Sequence, residues 1–380
     1  MADSTDLQAM LEEMRNSSPQ FRPSGFWDWL IAQNLGQLGR EGLERFKSTV
    51  NQNYYNWIPL NFGDNQVRNL TRYWCEHPSL VPLRAVLEGT ADVEHLAEAA
   101  PLADAGRREL YALFVGLLWH YASQHDPHRV LERLSEPDVG SPVGVRLGER
   151  LISQDLANSA REFTAVMECL PQASELQGLR IAELGAGYGR LAYVFASCLP
   201  CRYWIFDLPP ALHIAQWYLS SVLPQKKIFK FRHFENFAAV QAEVDAADVC
   251  FFTPNQLPLI ADRSVDAFVS ICSLQEMRPE SIRAYLRLMR QKARELVYLK
   301  QWIRGVNPVD GITIHKHFYT LGADWRVVLD RKDAVQDLFF ETAFRRGLTV
   351  AGILSSWRRQ IGSRLAAASA SIKMGLQVLR

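Results

Sequence analysis

A glycine-rich stretch near the middle of the chain has the residue types of a nucleotide-binding turn. Residues 183–190 read Glu-Leu-Gly-Ala-Gly-Tyr-Gly-Arg and continue an apolar run typical of a buried strand. Gly185 and Gly187 allow a tight turn and let a ligand approach the backbone where a Cβ atom would clash. Asp207 follows Gly185 by 22 residues, directly after the next predicted strand. A carboxylate there can accept both hydroxyl groups of a ribose, so the pattern predicts a ribose-containing ligand.

Two ribose ligands compete for this turn. A dinucleotide needs room for its pyrophosphate and usually a glycine or alanine at the sixth motif position, where this chain has Arg190. S-adenosylmethionine (SAM) carries no phosphate, and its ammonium and sulfonium cations suit the nearby acid Glu183, which would repel a pyrophosphate. The residues therefore favour SAM. A dinucleotide and a purely structural turn, with Glu183 as a helix cap, stay open as alternatives.

Residues after the fourth predicted strand could supply a general base. If SAM methylates an aliphatic hydroxyl, the reaction benefits from a group that accepts the hydroxyl proton, because the hydroxyl is a poor nucleophile. We expect Glu276 to take this proton and Gln275 to orient the acceptor, at the edge of the sheet where ligands bind. Alternatively, Glu276 caps the next helix. His315, on one face with His317 if the segment is extended, is a second candidate for the base.

Two other places have the side chains of an acceptor pocket. Lys300 and Trp302 follow the fifth predicted strand, where an indole ring could stack on a sugar or simply fill the core. Residues 51–57 combine amides and aromatic rings, the mixture that carbohydrate sites use, and we expect Tyr54 and Asn56 to contact the acceptor. A turn with core aromatics would have a similar sequence.

The elements that must position these residues follow a βαβ alternation after residue 151. Strands are predicted at 179–184, 203–206, 249–252, 265–271 and 296–300, and helices at 191–198, 211–223 and 280–294. The alternation predicts an α/β fold with a Rossmann-like, mostly parallel sheet that is covered by helices on both faces. Runs at 325–329 and 337–345 are candidates for an antiparallel pair that closes the sheet.

The segment before this sheet has helical patterns broken by Pro and Gly. Helices are predicted at 26–35, 42–50 and 110–121, with a further one running from 151 to about 169. The turn-rich residues 137–148 serve as the predicted junction. We therefore expect a helical cap and acceptor-binding domain at 1–150 and a SAM-binding methyltransferase domain at 151–347.

Composition excludes several classes of protein. The chain has 42 Lys plus Arg against 41 Asp plus Glu, which argues against nucleic-acid binding through bulk positive charge. Six cysteines form no disulfide framework, and the 198–201 Cys-x-x-C lacks the second pair of a zinc site. We expect no metal, no transmembrane span and no signal peptide, and therefore a cytoplasmic protein.

The C-terminal tail, 348–380, contains five basic residues and no acid, with apolar residues at steps of three and four. A basic amphipathic helix of this kind can make peripheral contact with an anionic membrane surface. The alternative is a helix that docks on the protein's own core or on a second subunit of a homodimer.

The sequence resembles the class I SAM-dependent methyltransferases, and more narrowly a bacterial family of sugar O-methyltransferases. The matching stretches are 46–57, 183–190, 207–210, 251–257, 273–277 and 300–302. They lie between residues 24 and 346, so the resemblance covers both predicted domains. It implies the fold, SAM as cofactor and a small acceptor with a hydroxyl group.

The resemblance also implies roles for individual residues. Glu183, Gly185 and Gly187 would hold the methionine part of SAM, and Asp207 the ribose hydroxyls. A further three side chains would contact the adenine: Leu208 by packing, and Asn255 and Gln256 by hydrogen bonds to its edge. In the alternative reading, residues 253–256 form only a polar turn.

These observations predict an enzyme that transfers a methyl group from SAM to a hydroxyl of a sugar or a glycosylated small molecule. Two other hypotheses remain: a methyltransferase that modifies oxygen or nitrogen of a non-sugar natural product, and a SAM-binding protein without catalytic activity.

Overall fold

The computed structural model describes residues 4–48, 58–79, 84–86, 102, 104–170 and 178–347. Its strands in these ranges are β1 (Val145–Leu147), β2 (Arg150–Ile152), β3 (Arg180–Leu184), β4 (Arg202–Phe206), β5 (Ile228–Phe229), β6 (Val249–Phe252), β7 (Val265–Ile271), β8 (Ala293–Trp302), β9 (Arg304–Asn307), β10 (Ile312–His315), β11 (Trp325–Lys332) and β12 (Phe339–Arg346).

Eight of these strands form one sheet in the order β11-β12-β8-β7-β3-β4-β6-β5. The six strands β8, β7, β3, β4, β6 and β5 are parallel to one another. At the other edge of the sheet, β12 is antiparallel to β8 and β11 is antiparallel to β12. The predicted fold class, a Rossmann-like sheet closed by an antiparallel pair, is confirmed. Two hairpins, β1–β2 and β9–β10, stand apart from it.

Helices cover the sheet and precede it. The described ones are α1 (Ser4–Asn16), α2 (Gly25–Glu41), α3 (Asn65–Glu76), α4 (Ala105–Gln124), α5 (Val130–Arg133), α6 (Gln154–Cys169), α7 (Arg190–Cys198), α8 (Ala211–Val222), α9 (Gln241–Ala246) and α10 (Pro279–Lys292). Among the helices in the described ranges, none is both long enough and apolar enough to cross a membrane.

The central strands are buried on both faces, which explains their sequence pattern. In β3, β4 and β6 nearly every residue is buried, so the strands consist of continuous apolar runs instead of an alternation. The parallel strands all end at the same edge of the sheet. Residues that follow β3, β4, β7 and β8 therefore meet there although they are distant in sequence.

The predicted helix at 42–50 is wrong in its described part. Gly42 ends α2 with a φ of 74°, and only a single 3-10 turn, Leu43–Arg45, follows. The helix predicted from residue 151 begins at Gln154, because Arg150–Ile152 pairs with β1 in a hairpin. The Ser153 side chain then accepts the backbone N–H of Leu156 and caps α6.

Lys47 joins the segment after α2 to the loop before β1 and to α8. Its ammonium is buried, forms an ion pair with Glu136 at 2.6 Å and lies 4.1 Å from the ring centroid of Tyr218. Ser153 donates to the other Glu136 oxygen at 2.6 Å. Apolar side chains of the N-terminal helices and of one sheet face form one continuous cluster. A division into domains at residue 150 stays a prediction.

A network of buried ion pairs includes two residues of α6, Arg161 and Glu162. Glu162 contacts Arg190 at 2.5 Å and Lys300 at 3.1 Å, and Lys300 contacts Asp333 at 3.0 Å, which in turn contacts Arg161 at 2.8 Å. Burial lowers the pKa of Lys300, but the two carboxylates outweigh it and raise the pKa above its ordinary value. The ammonium is therefore charged in the core, and its role is to neutralise two acids.

Replacing Lys300 with Met should lower the free energy of unfolding by about 1.5–3 kcal/mol, because Glu162 and Asp333 would each lose one of their two buried cationic partners. Urea denaturation measures this change. Lys332→Met is the matched control, since its ion pair with Asp337 is more than half exposed on the lysine side and should contribute little. Equal denaturation midpoints for Lys300→Met and Lys332→Met would contradict the assignment.

Candidate active site

A cavity of about 400 Å³ opens at the carboxyl edge of the parallel strands. Its walls include Gly185 after β3, Asp207 after β4, Ser273 after β7 and Trp302 at the end of β8, together with Trp27 from α2. The volume lies in the range of small-molecule sites, and the position is where α/β sheets bind ligands. The cavity thus coincides with the predicted nucleotide turn.

The turn itself depends on its glycines. Gly185, Gly187 and Gly189 have φ values of 76°, 59° and 86°, in the left-handed region that favours glycine. A Cβ atom at position 185 would lie 2.1 Å from the Ser273 Oγ atom, and one at position 189 would lie 2.7 Å from Leu219 Cδ1. The loops after β3 and β7 can approach each other this closely only because residue 185 has no side chain.

The Asp207 carboxylate holds this turn by accepting hydrogen bonds from its backbone. One carboxylate oxygen accepts the backbone N–H of Gly187 at 2.7 Å, and the other accepts that of Leu208 at 2.7 Å. Burial raises the pKa of the Asp207 carboxyl to about 7, although these backbone N–H groups oppose the shift. Leu208 lines the cavity beside it. The acid therefore both fixes the loop and faces the space where a ligand would lie.

Glu183 is the second buried acid at this end of the cavity. It is 3% exposed, and the Tyr203 hydroxyl donates to its Oε2 atom at 2.8 Å. Burial raises the pKa of the Glu183 carboxyl to about 7, more than the Tyr203 hydrogen bond and Arg190 lower it. The carboxylate contacts the cavity and does not cap α7, whose N-cap residue is Gly189.

Sequence reasoning missed the first turns of α6 as part of this wall. Gln154, Asp155 and Asn158 line the cavity, and the Tyr188 hydroxyl donates to Asp155 at 2.7 Å. The sequence predicts a helix here, but helical spacing alone does not reveal that one of its faces turns toward the glycine loop.

The two residues expected at the adenine edge, Asn255 and Gln256, form hydrogen bonds outside the cavity. Gln256 accepts the backbone N–H of Thr253 at 3.1 Å and donates to the Arg232 carbonyl at 2.9 Å. Asn255 donates to Glu13 of α1 at 2.6 Å. Neither residue lines the cavity. The polar-turn alternative describes both side chains, because Gln256 forms a capping box with Thr253.

Glu276 also lines the cavity, and three groups hold it by hydrogen bonds. The Trp27 indole N–H donates to its Oε2 atom at 3.0 Å. Its backbone carbonyl accepts the Ser24 hydroxyl at 3.0 Å and the Asn307 amide at 3.1 Å. The helix-cap alternative does not hold, since Arg278 occupies the N-cap position of α10. Glu276 therefore remains a candidate for the base.

Gln275 and Trp302 both line the cavity and contact each other. The Gln275 Oε1 atom accepts the backbone N–H of Trp302 at 2.6 Å. Behind them, the Gln301 Oε1 atom accepts the backbone N–H groups of Ser273 at 3.1 Å and Gln275 at 3.4 Å. These bonds fix the loop after β7 to the end of β8 and place an indole ring in the wall.

The other predicted site residues lie outside the cavity or outside the described ranges. Lys300 does not line the cavity, because its ammonium is drawn into the buried charge network described above. His315 is exposed on the β9–β10 hairpin, where its ring stacks on His317. Tyr54, Asn56 and the tail at 348–380 lie outside the described residues.

The cavity wall also contains residues that no sequence pattern singled out. They come from α2, from the N-cap and first residues of α3, from the loop before β12 and from the first residue of β12: Trp27, Asp64, Asn65, Gln66, Gln336, Leu338 and Phe339. The amide of Asn65 donates to Asp337 at 2.8 Å and so ties α3 to that loop. Within the described ranges, no group of three or more His, Cys, Asp or Glu side chains is placed to hold a metal ion.

No protein-family model and no curated protein sequence matches the chain. Among solved structures it is similar to magnesium protoporphyrin IX methyltransferase (ChlM) from Synechocystis PCC 6803 with bound SAH, at 12% identity and a TM-score of 0.38, over 51% of this chain and 86% of that one. It is also similar to 1,6-didemethyltoxoflavin-N1-methyltransferase from Burkholderia thailandensis, at 12% identity and a TM-score of 0.34, over 51% of this chain and 79% of that one. A third similar structure is the mitomycin 7-O-methyltransferase MmcR, at 13% identity and a TM-score of 0.34, over 62% of this chain and 70% of that one.

The raised pKa of Glu183 predicts a pH-dependent stability of the ligand-free protein. The folded state keeps this proton up to about pH 7, whereas the unfolded state releases it near the ordinary glutamate value of 4.5. The free energy of unfolding should therefore fall as the pH rises from about 4.5 to 7. Glu183→Gln keeps an acceptor for Tyr203 and should remove this part of the dependence.

Thermal unfolding at pH 5 and pH 8 measures the effect as the difference between the variant and the wild type. The stability of Glu183→Gln relative to the wild type should increase between these two pH values. The exposed Glu280→Gln on α10 is the control, with no such gain expected. A constant difference between Glu183→Gln and the wild type would show that Glu183 is ionised throughout.

Proposed function

We propose that the protein is a SAM-dependent O-methyltransferase that acts on a hydroxyl of a sugar or a glycosylated small molecule. The observation that carries the proposal is the pair of buried acids, Glu183 and Asp207, on either side of the glycine turn at the cavity wall. The fold and this site support SAM as the cofactor and transfer of its methyl group as the activity.

The chemistry of this end of the cavity fits SAM better than a dinucleotide. Buried carboxylates attract a cation and repel a pyrophosphate, and the Asp207 carboxylate is positioned to accept hydroxyl groups. Arg190, the cation nearest the turn, is occupied by Glu162 at 2.5 Å and by the Ser159 hydroxyl at 2.8 Å. The side chains at this end of the cavity are therefore acidic where a phosphate group would need positive charge.

The acceptor side supports a polar ligand with ring faces. The wall contains the indole and phenyl rings of Trp27, Trp302 and Phe339 together with the side chains of Gln66 and Gln275. Aromatic faces pack against the C–H surfaces of a sugar ring, and amides pair with its hydroxyl groups. This composition supports the sugar assignment among the possible hydroxyl acceptors.

In the reaction, the residues of the chain bind, align and move one proton. SAM, when bound, supplies an electrophilic methyl group with a neutral thioether as leaving group. Glu276 accepts the proton of the acceptor hydroxyl as the new carbon–oxygen bond forms. Gln275 and the ring of Trp302 orient the acceptor, and the enclosing wall excludes water, so alignment contributes much of the rate.

Replacing Asp207 with Ala should weaken SAM binding at least tenfold, because a buried carboxylate that accepts hydroxyl groups and holds the Gly187 turn is lost. Isothermal titration calorimetry with SAM and with S-adenosylhomocysteine measures the affinity. Asp330→Ala, an exposed acid on β11, is the control and should bind SAM like the wild type. Unchanged affinity in a folded Asp207→Ala protein would remove Asp207 from the cofactor site.

Replacing Glu276 with Gln should lower turnover at least tenfold while SAM affinity stays within about threefold, since the amide cannot accept the acceptor's proton. Methyl transfer from labelled SAM is assayed on a panel of sugars, glycosylated small molecules, phenols and amines. His315→Ala is the control, because His315 is exposed and outside the cavity wall. Turnover of Glu276→Gln within threefold of the wild type would exclude Glu276 as the base.

The same panel distinguishes the classes of acceptor. Methylated sugars with unmodified phenols and amines would support the sugar assignment. The reverse pattern would keep the methyltransferase and replace its substrate class. SAM binding without transfer to any member of the panel would favour a non-catalytic binding protein.

A further inference from the structure

The N-terminus of α2 is packed into the active-site wall, about 250 residues away in sequence from the loop that it contacts. Ser24, the N-cap residue of α2, donates its hydroxyl to the Glu276 carbonyl at 3.0 Å. One turn further, the Trp27 indole N–H donates to the Glu276 carboxylate at 3.0 Å. The helix thus contacts both the backbone and the side chain of the candidate base.

Asp310, in the β9–β10 hairpin, fixes this end of α2. Its two carboxylate oxygens accept the backbone N–H groups of Gly25 and Phe26, each at 3.0 Å. An acid at a helix N-terminus satisfies N–H groups that have no partner within the helix, and the helix dipole favours its charge. Asn307 donates to both Asp310 at 2.8 Å and the Glu276 carbonyl at 3.1 Å. The hairpin, α2 and the Glu276 loop are therefore hydrogen-bonded to one another.

Trp27 combines two properties that its neighbours on the helix lack. Its ring lines the cavity, and its only polar hydrogen points at the Glu276 carboxylate. Trp29, two residues later, is 55% exposed and does not line the cavity. A charge-assisted bond from an indole N–H fixes the direction of the carboxylate.

We infer that Trp27 is a positioning residue for methyl transfer: its indole N–H orients the Glu276 carboxylate toward the acceptor, and its ring forms the adjacent wall of the acceptor pocket. This inference rests on the proposed function of Glu276 as the base. Asp310 supports it by holding the N-terminus of α2 in register with the loop after β7.

The hydrogen bond can be tested without SAM or an acceptor. The protein has ten tryptophans, whose indole N–H groups give separate cross-peaks in ¹⁵N–¹H correlation spectra. The Trp27 peak is identified by its absence in Trp27→Phe, and the Trp29 peak by its absence in Trp29→Phe. Glu276→Gln should move the Trp27 peak upfield in the proton dimension, because a neutral acceptor replaces a charged one, and should leave the Trp29 peak in place. An unmoved Trp27 peak would overturn the assigned contact.

The kinetic consequence is tested with the acceptor identified by the panel. Trp27→Phe keeps a ring but has no N–H group, so kcat should fall at least tenfold while the acceptor KM and the SAM Kd stay within threefold. Trp27→Ala also removes the wall and should raise the acceptor KM in addition. Trp29→Phe should behave like the wild type in all three measurements.

Two results would contradict the positioning role. Trp27→Phe with kcat within twofold of the wild type would show that the bond does not matter for the reaction. A parallel loss of kcat, SAM affinity and melting temperature would show that Trp27 only stabilises the fold. Failure of the wild type to bind SAM would instead contradict the proposed function, and the spectroscopic result would stand apart from it.

Discussion

The active-site edge depends on one buried interaction, the acceptance of the Gly187 backbone N–H by the Asp207 carboxylate. This bond joins the loop after β3 to the end of β4 and keeps the glycine turn open toward the cavity. Ser273 can then pack against Gly185 from the loop after β7. Three strand ends are thus fixed relative to one another by a group that also faces the ligand space.

Burying an acid at this place has an energetic cost, which is visible in the raised pKa values of Asp207 and Glu183. A cationic ligand would offset this cost, because its charge favours the ionised form of both groups. The buried ion network around Lys300 is the opposite case. Burial raises the pKa of Asp333, but Arg161 and Lys300 more than compensate and hold it well below its usual range. Glu162 and Asp333 are paired with cations of the chain, whereas Glu183 and Asp207 accept hydrogen bonds from a hydroxyl and from backbone N–H groups and line the cavity.

The N-terminal helices complete the site. The sheet edge alone provides the glycine turn, Asp207 and Glu276, and α2 and the start of α3 contribute further residues to the cavity wall. Asp310 of the β9–β10 hairpin accepts two backbone N–H groups at the start of α2, and Lys47, beyond α2, forms a buried ion pair with Glu136 in the loop before β1. The start of α2 is therefore joined to the loop after β7 by hydrogen bonds at several points.

The sequence by itself determined seven of the eight strands of the main sheet, the glycine turn and Asp207, because each depends on local chemistry: continuous apolar runs, residues without a Cβ atom, and a fixed spacing behind a strand. It also placed Gln275, Glu276 and Trp302 at the correct edge, since parallel strands end together. Tertiary structure alone decided which neighbours face the cavity. Lys300 turns into a charge network, Asn255 turns toward Glu13, and Trp27 enters the wall. These outcomes depend on partners far away in sequence, and helical or strand periodicity carries no information about such partners.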